Sequence, residues 1–223
     1  MQITILMGTR NGAAHLQEQL DSLARQNHRD WCLWVGDDGS SDGTAEALEA
    51  VRQADPRVVV VTLRRNFGQT AGLTTGFDHS RGEVVVTMDG DLQHDPRDLP
   101  RLLAKLDEGY DIASGWRKDR ADVDSAIRTL PSRVANGLAR KLSGVELHDF
   151  GTTYKAYRSE IIDELELHGE MHRFIPALAH HRGARIAEVP ITCAPRHSGT
   201  SHYGLGRTWA VLIDLMVLKF LLS

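Results

Sequence analysis

Two carboxylates stand two residues apart in the run Met88–Gln93, directly after the apolar segment Glu83–Thr87. At the end of a strand, residues i and i+2 point to the same side, so Asp89 and Asp91 are predicted to face one way. Hard oxygen donors suit Mg²⁺ or Mn²⁺ better than Zn²⁺, and such ions usually keep water or phosphate oxygens as further ligands. The run therefore predicts a site for a divalent metal bound to a diphosphate.

The same run has two other interpretations. An EF-hand loop would need glycine at His94 and glutamate at Pro100, so the sequence excludes it. A solvated acidic turn ahead of a helix is the remaining alternative, because Pro96 is typical of a first helical turn and Asp95 of its cap.

The elements that would position these carboxylates alternate along the chain. Apolar, strand-like segments are Ile3–Met7, Trp31–Gly36, Val58–Leu63, Glu83–Met88 and Asp111–Trp116. Helix-like segments are Ala13–Gln26, Ala45–Ala54, Thr70–Ser80 and Leu99–Asp107. This alternation predicts an α/β fold with a mainly parallel central sheet flanked by helices.

Polar loops follow four of these strands, at 9–12, 37–44, 64–68 and 89–95. Ligands of open parallel sheets bind beyond the carboxyl ends of the strands, so we expect the loops to converge on one rim. The sequence has no phosphate-binding Gly-x-x-x-x-Gly-Lys-Ser/Thr loop, and the turn after the first strand is not a dinucleotide fingerprint. ATPase and dehydrogenase functions are therefore disfavoured.

Composition indicates a single globular domain, since 223 residues with 41% hydrophobic and 25% charged can bury one sizeable core. Cys32 and Cys193 are far apart and lack metal or redox spacing, which predicts two reduced thiols in a cytosolic protein. No basic segment precedes the first apolar run, so no secretory signal peptide is expected.

Charge is distributed unevenly within the net value of −4. Residues 1–116 carry 11 Lys/Arg against 18 Asp/Glu, and residues 117–223 carry 15 against 12. The acidic half holds the candidate metal site. The basic half is where a second anionic ligand would bind, although scattered arginines on solvated helix faces are the alternative. We expect no nucleic-acid partner.

Ordered motifs extend over nearly the whole chain. In the first half they are residues 37–44, Asn66-x-Gly68 with Gly72 and Gly76, and 89–93; in the second half they are 115–119, 131–136, 148–151, 155–158, 169–176 and 188–191. The first set resembles the family 2 inverting glycosyltransferases of the GT-A fold. The second set is similar to the polyprenyl-phosphate glycosyltransferases, the group that contains dolichyl-phosphate mannose synthase and bacterial undecaprenyl-phosphate sugar transferases.

The resemblance implies a nucleotide-diphosphate sugar as donor. The residues it assigns to the nucleotide sugar are Thr9, Asn11, Asp37, Asp38, Arg65, Asp89, Gly90 and Asp91. Asp89 and Asp91, with Gln93, would hold the Mg²⁺ or Mn²⁺ that bridges the donor diphosphate. Turn capping is the alternative for Asp37 and Asp42, and both roles can coexist; ligand contact is favoured for Asp38 and capping for Asp42.

The resemblance implies a polyprenyl phosphate as acceptor. A phosphate monoester is largely dianionic at neutral pH, so it can attack without a strong general base and needs a clamp that arginine forks supply. The candidate clamp residues are Arg117, Arg128, Ser132, Arg133, Arg196 and Ser201. With Asp91 and Arg117, the third candidate catalytic residue is Asp149, which would orient the acceptor side or act as a base. His202 stands where the family usually has Lys or Arg.

The C-terminal stretch Trp209–Leu222 is apolar except for Asp214 and Lys219, and its 14 residues are fewer than the roughly 20 that span a bilayer. We expect a catalytic domain over 1–207 and an apolar helix over 208–223. That helix would be interfacial or lead into a membrane segment, with a core helix as the alternative. The expected location is the cytoplasmic face of a membrane.

Three functions follow from these observations. The leading one is metal-dependent sugar transfer from a nucleotide diphosphate to a polyprenyl phosphate. The second is a family 2 transferase with a glycan or protein hydroxyl acceptor, which would need a general base such as Asp149. The third is a non-catalytic nucleotide-sugar binding module, which the retention of both Asp89 and Asp91 disfavours.

Overall fold

A seven-stranded sheet forms the centre of the structure, a computed structural model that describes residues 2–118, 136–167, 169, 171–194 and 216–220. The strands are β1 (Ile3–Thr9), β2 (Trp31–Asp37), β3 (Val58–Thr62), β4 (Val84–Asp89), β5 (Ile112–Trp116), β6 (Lys155–Arg158) and β7 (Ile186–Pro190). Their order across the sheet is β3-β2-β1-β4-β6-β5-β7.

Four helices alternate with the first five strands. They are α1 (Ala13–Arg25), α2 (Thr44–Ala54), α3 (Gln69–His79) and α4 (Leu99–Asp107). Shorter helical segments are Pro96–Asp98, Ser159–Asp163, Met171–Phe174 and Ile175–His181, and residues 136–143 and 216–220 are also helical. All nine predicted strands and helices of residues 1–116 are confirmed, with ends displaced by at most two residues.

The sheet is parallel except at β6, which pairs antiparallel with both β4 and β5. The sequence pattern did not predict this strand. Lys155 at the start of β6 lies opposite Thr87 and Ser114, near the carboxyl ends of β4 and β5. The segment that precedes β6 therefore reaches the same edge of the sheet as the loop that carries Asp89.

Apolar side chains cover both faces of the sheet. On one face, strand residues such as Ile5 and Leu33 pack with α1, α2 and α4. Three core-facing positions of α1 are Leu16, Gln19 and Leu23, at the i, i+3, i+7 spacing of a helix that buries one face. On the other face, α3 packs with Ser159–Asp163 and the start of Ile175–His181.

A third apolar cluster lies around the helical residues 136–143. Leu218, from the helical residues 216–220, is buried there with Ala139, Phe150 and Phe174. Met216 and Phe220 flank it and are exposed. Within the described ranges, no helix combines the length and the apolar character needed to cross a bilayer.

We expect Gly115→Ala to lower the free energy of unfolding by about 1–3 kcal/mol, because overpacking forces backbone to move. An added Cβ would lie 2.7 Å from the carbonyl oxygen of Tyr154 and 2.8 Å from Cδ1 of Ile191. Gly137→Ala is the control, since no atom of the described residues outside its chain neighbours and its own helix backbone lies within 4 Å of the added Cβ. Urea unfolding checks both variants; equal midpoints for Gly115→Ala and the wild type would contradict this packing.

Candidate active site

The carboxyl ends of β1, β2 and β4 meet at one edge of the sheet. Thr9 pairs with Asp37, and Gly8 pairs with Asp89. The loops beyond these ends are bonded to β1, since the Asp38 amide donates to the Thr9 carbonyl at 3.0 Å and the Gly90 amide donates to the Gly8 carbonyl at 3.1 Å. The predicted convergence of the loops on one rim is confirmed for these three.

A cavity of about 200 Å³ lies between this edge and α3. Thr9, Asp38 and Asp89 line it together with Gln69 and Thr153. The structure thus brings three predicted donor-binding residues to one cavity. Five other residues predicted to bind the donor do not line the cavity in the part of the chain that the structure describes. They are Asn11, Asp37, Arg65, Gly90 and Asp91.

Asp38 shapes this wall by joining two loops. Its carboxylate accepts hydrogen bonds from the amides of Phe67 at 2.7 Å and Gly68 at 3.1 Å, so the loop after β2 holds the loop after β3. Arg65 lies in that second loop, and its guanidinium carbon is 4.7 Å from the ring centre of the exposed Phe67.

Asp37 and Asp42 bind backbone and hydroxyl groups of their own loop. Asp37 is fully buried and accepts from the amide of Ser40 at 3.3 Å and from its hydroxyl. Asp42 accepts from the Thr44 amide at 3.1 Å and the Ala13 amide at 3.2 Å, at the starts of α2 and α1. The Thr44 hydroxyl is the main cause of the lowered pKa of Asp42. The predicted capping role of Asp42 is confirmed.

Asn11 and Gly90 also have structural roles at this rim. Asn11 has a φ of +51°, and its side-chain oxygen accepts from the Ser41 amide at 2.9 Å. A Cβ on Gly90 would lie 3.2 Å from the Gly8 carbonyl oxygen, so glycine lets this loop approach β1 closely. Asp95 caps the turn beginning at Pro96 by accepting from the Arg97 amide at 2.9 Å, as predicted.

The carboxylate of Asp89 is oriented by two neighbours. Gln69 Nε2 donates to Oδ1 at 2.9 Å, and Thr153 Oγ1 donates to Oδ2 at 2.6 Å. Asp91 Oδ1 accepts from the Gln93 amide at 3.2 Å. In the part of the chain that the structure describes, no three His, Cys, Asp or Glu side chains are grouped to hold a metal ion. The carboxylates of Asp89 and Asp91 are hard oxygen donors of the kind that bind Mg²⁺ or Mn²⁺.

Arg117 and Asp149 form a bidentate ion pair beside this edge. Arg117 Nε donates to Oδ2 at 2.7 Å and Nη2 donates to Oδ1 at 3.0 Å, and both side chains are largely buried. Burial alone would lower the pKa of Arg117, but the Asp149 carboxylate more than offsets this and raises it. Glu188 Oε1 accepts hydrogen bonds from the backbone amides of His148 at 2.7 Å and Asp149 at 3.0 Å, and thereby fixes the backbone of Asp149.

Two further basic side chains are buried nearby. Lys155 is 1% exposed, donates to the carbonyls of Phe150 and Thr152, and has its pKa lowered by burial to about 8. His94 stacks on Tyr154 with ring centres 5.2 Å apart, and burial lowers its pKa to about 4. Lys155 is therefore mainly charged at neutral pH, whereas His94 is neutral.

The remaining predicted acceptor residues lie outside the described residues. They are Arg128, Ser132, Arg133, Arg196 and Ser201, and the same holds for His202. Their assignment to the acceptor phosphate stays a prediction. Arg117 is the one predicted acceptor residue that lies within the described residues.

Sequence reasoning missed four residues that shape the site, namely Gln69, Thr153, Lys155 and Glu188. Gln69 follows the Asn66-x-Gly68 motif, and Lys155 and Glu188 open motifs used for the resemblance. Those motifs could have indicated these residues, but sequence spacing alone does not reveal that Gln69 and Thr153 both bind Asp89.

The family described as glycosyl transferase family 2 matches residues 4–166 of the chain. Dodecaprenyl-phosphate galacturonate synthase from Rhizobium johnstonii is 44% identical over 197 residues, covering 86% of this chain and 58% of the relative. Undecaprenyl-phosphate 4-deoxy-4-formamido-L-arabinose transferase from Edwardsiella ictaluri is 41% identical over 197 residues, covering 88% and 59%. The chain thus spans less than two thirds of the length of these curated relatives.

A solved structure is similar over almost the whole chain. Glucosyl-3-phosphoglycerate synthase from Mycobacterium tuberculosis, in complex with Mn²⁺, UDP and glucosyl-3-phosphoglycerate, has a TM-score of 0.71 at 19% identity and covers 97% of this chain and 78% of that one. At this identity the likeness concerns the fold alone. It confirms the predicted fold.

Asp149→Asn should lower the free energy of unfolding by about 3–5 kcal/mol, because it leaves the Arg117 charge buried without its ionic partner. The control is Arg97→Met, which breaks the pair with Asp95 at a side chain that is 83% exposed. Exposed pairs contribute about 0–1 kcal/mol. Chemical denaturation of both variants checks this, and equal losses would contradict a buried pair.

The unfolding free energy of the wild type minus that of Lys155→Met should be flat below pH 8 and rise between about pH 8 and 10.5. In that interval the unfolded state keeps the proton that folded Lys155 has lost, so it binds more protons and stability increases with pH. Urea denaturation from pH 7 to 10.5 gives the difference. A constant or falling difference would mean that Lys155 is not buried as described.

Proposed function

The chain belongs to glycosyl transferase family 2 and has the GT-A fold, and we propose that it is a metal-dependent inverting glycosyltransferase. It transfers a sugar from a nucleotide diphosphate to a polyprenyl phosphate. The observation that carries the proposal is that Asp89, a candidate metal ligand, lines the same cavity as Thr9 and Asp38.

The donor occupies that cavity. Thr9 and Asp38 contact the base and ribose at the ends of β1 and β2, with Asp37 and Asn11 holding the surrounding loops. Arg65 assists from the loop that Asp38 binds. These different roles are supported by the hydrogen bonds described above, which connect the loops to one another.

Asp89 and Asp91, with Gln93, would hold Mg²⁺ or Mn²⁺. Their hard oxygen donors fit either ion, and Gln69 and Thr153 fix the direction of the Asp89 carboxylate, as outer-shell partners of metal ligands do. When bound, the ion supplies stabilisation of the charge that develops on the leaving diphosphate.

Arg117 binds the acceptor phosphate. Its guanidinium has five N–H donors, and two serve Asp149, which holds the fork in a fixed orientation. Lys155 adds positive charge behind this pair. Arg128, Ser132, Arg133, Arg196 and Ser201 complete the clamp in the proposal.

The ion pair favours a phosphate acceptor over a hydroxyl acceptor. A hydroxyl group must lose a proton to a base, but both oxygens of Asp149 already accept from Arg117. A phosphate dianion arrives ionised and needs only to be held. The names of the two relatives support the same acceptor class. We place the enzyme at the cytoplasmic face of a membrane, where such an acceptor is presented.

Incubation of the 223-residue chain with Mn²⁺ or Mg²⁺, a panel of nucleotide sugars and undecaprenyl phosphate tests this function. We expect a metal-dependent lipid-linked sugar by mass spectrometry, and its loss in Asp91→Asn because a candidate metal ligand is removed. Asp107→Asn, an exposed acid at the end of α4, is the matched control.

Undiminished turnover by Asp91→Asn would overturn the metal assignment. Nucleotide-sugar hydrolysis without any glycolipid, in a folded protein that binds Mn²⁺, would overturn the acceptor assignment instead. Nucleotide-sugar binding without any turnover would favour the binding-module alternative.

A further inference from the structure

Leu92 has a left-handed backbone conformation, with a φ of +62°. This region is unfavourable for residues that carry a Cβ, and such residues persist there only when surrounding structure holds them. Leu92 lies between Asp91 and Gln93, two of the three residues proposed to hold the metal. The backbone conformation of Leu92 therefore determines how its two neighbours are oriented relative to each other.

Gln19 makes a hydrogen bond to this residue from a distant element. It is 0% exposed on the core-facing side of α1, and its Oε1 accepts from the Leu92 amide at 3.0 Å. Its neighbours on that side of the helix are Leu16 and Leu23. Burying an amide at an apolar position is costly unless it is hydrogen-bonded, so the bond to Leu92 accounts for a polar residue there.

The turn at Leu92 determines where the following residues go. The Gln93 amide donates back to the Asp91 carboxylate at 3.2 Å, and the Gln93 carbonyl accepts from the Ala194 amide at 2.9 Å. His94 then forms an antiparallel bridge with Cys193. A change of φ at Leu92 would alter the direction of the chain between Asp91 and Gln93, and with it the geometry of these contacts.

We propose that Gln19 is a positioning residue for the metal site. It holds Leu92 in the left-handed conformation and thereby sets the directions of Asp91 and Gln93. The inference rests on the proposed function only in taking a divalent cation as the ligand that these residues hold.

Gln26 offers a matched control within the same helix region. It follows the last residue of α1, is 1% exposed, and bonds the backbone carbonyl and amide of His28. It is thus a second buried glutamine that binds backbone, but its side-chain hydrogen bonds among the described residues go to His28 and not to the loop 89–93. Replacing either glutamine by methionine removes a similar hydrogen-bonding group from a similar environment.

The affinity for Mn²⁺, measured by electron paramagnetic resonance in the presence of UDP and separately of GDP, tests the proposal. We expect Gln19→Met to weaken Mn²⁺ binding by about 10–100-fold, as loss of outer-shell support does, and Gln26→Met to leave it within about twofold. Both variants should lose thermal stability. Wild-type Mn²⁺ affinity in a folded Gln19→Met protein would overturn the proposal.

A second variant tests the cause. Glycine adopts a positive φ without the steric cost of a Cβ, so Leu92→Gly combined with Gln19→Met should recover most of the lost Mn²⁺ affinity. Recovery would support the conformational role of Gln19. Failure to recover would mean that Gln19 does not act through the backbone of Leu92, and would overturn the proposal.

Hydrogen exchange separates this inference from the proposed function. The Leu92 amide should exchange faster in Gln19→Met and unchanged in Gln26→Met, whether or not a metal binds. Equal exchange at Leu92 in the two variants would overturn the inference. Failure of the proposed function would instead be seen in the wild type, as absence of Mn²⁺ binding and of sugar transfer.

Discussion

The carboxylate of Asp89 joins two parts of the chain that are remote in sequence. Gln69, at the start of α3, donates to one oxygen, and Thr153, from the segment before β6, donates to the other. Gln69 and Thr153 also line the cavity. Because β6 runs antiparallel between β4 and β5, the segment before it must pass this edge of the sheet. One acidic side chain therefore depends on both the helix and the inserted strand for its orientation.

Three charged side chains are buried together on the acceptor side of the proposed site. Arg117, Asp149 and Lys155 are all largely withdrawn from water. A buried ion pair contributes little net stability compared with apolar residues of similar volume, because desolvation offsets the attraction. Such a pair is useful where a fixed positive group must meet an anion, since it is oriented before the ligand arrives. We infer that this cluster is retained for preorganisation and not for stability.

Local patterns predicted much of the fold. Hydrophobic periodicity located each strand and helix up to Trp116, and turn chemistry identified Asp42 and Asp95 as caps. Hydrophobic periodicity did not predict β6, because a strand of only four residues is too short to show a clear pattern. The shape of the site depends on contacts across 20, 32 and 73 positions, from Gln69 to Asp89, Arg117 to Asp149 and Gln19 to Leu92. No local pattern encodes which residues these long-range contacts join.

The C-terminal residues 216–220 connect the apolar end of the chain to the acceptor side. Leu218 is buried in the same cluster as Phe150, which directly follows Asp149. Met216 and Phe220 on either side of it are 64% and 79% exposed. One helical segment therefore packs into the cluster that contains the residue after Asp149, and it presents apolar side chains outward. We infer that these exposed apolar side chains would suit the long apolar tail of the proposed acceptor, whose charged head Arg117 would bind.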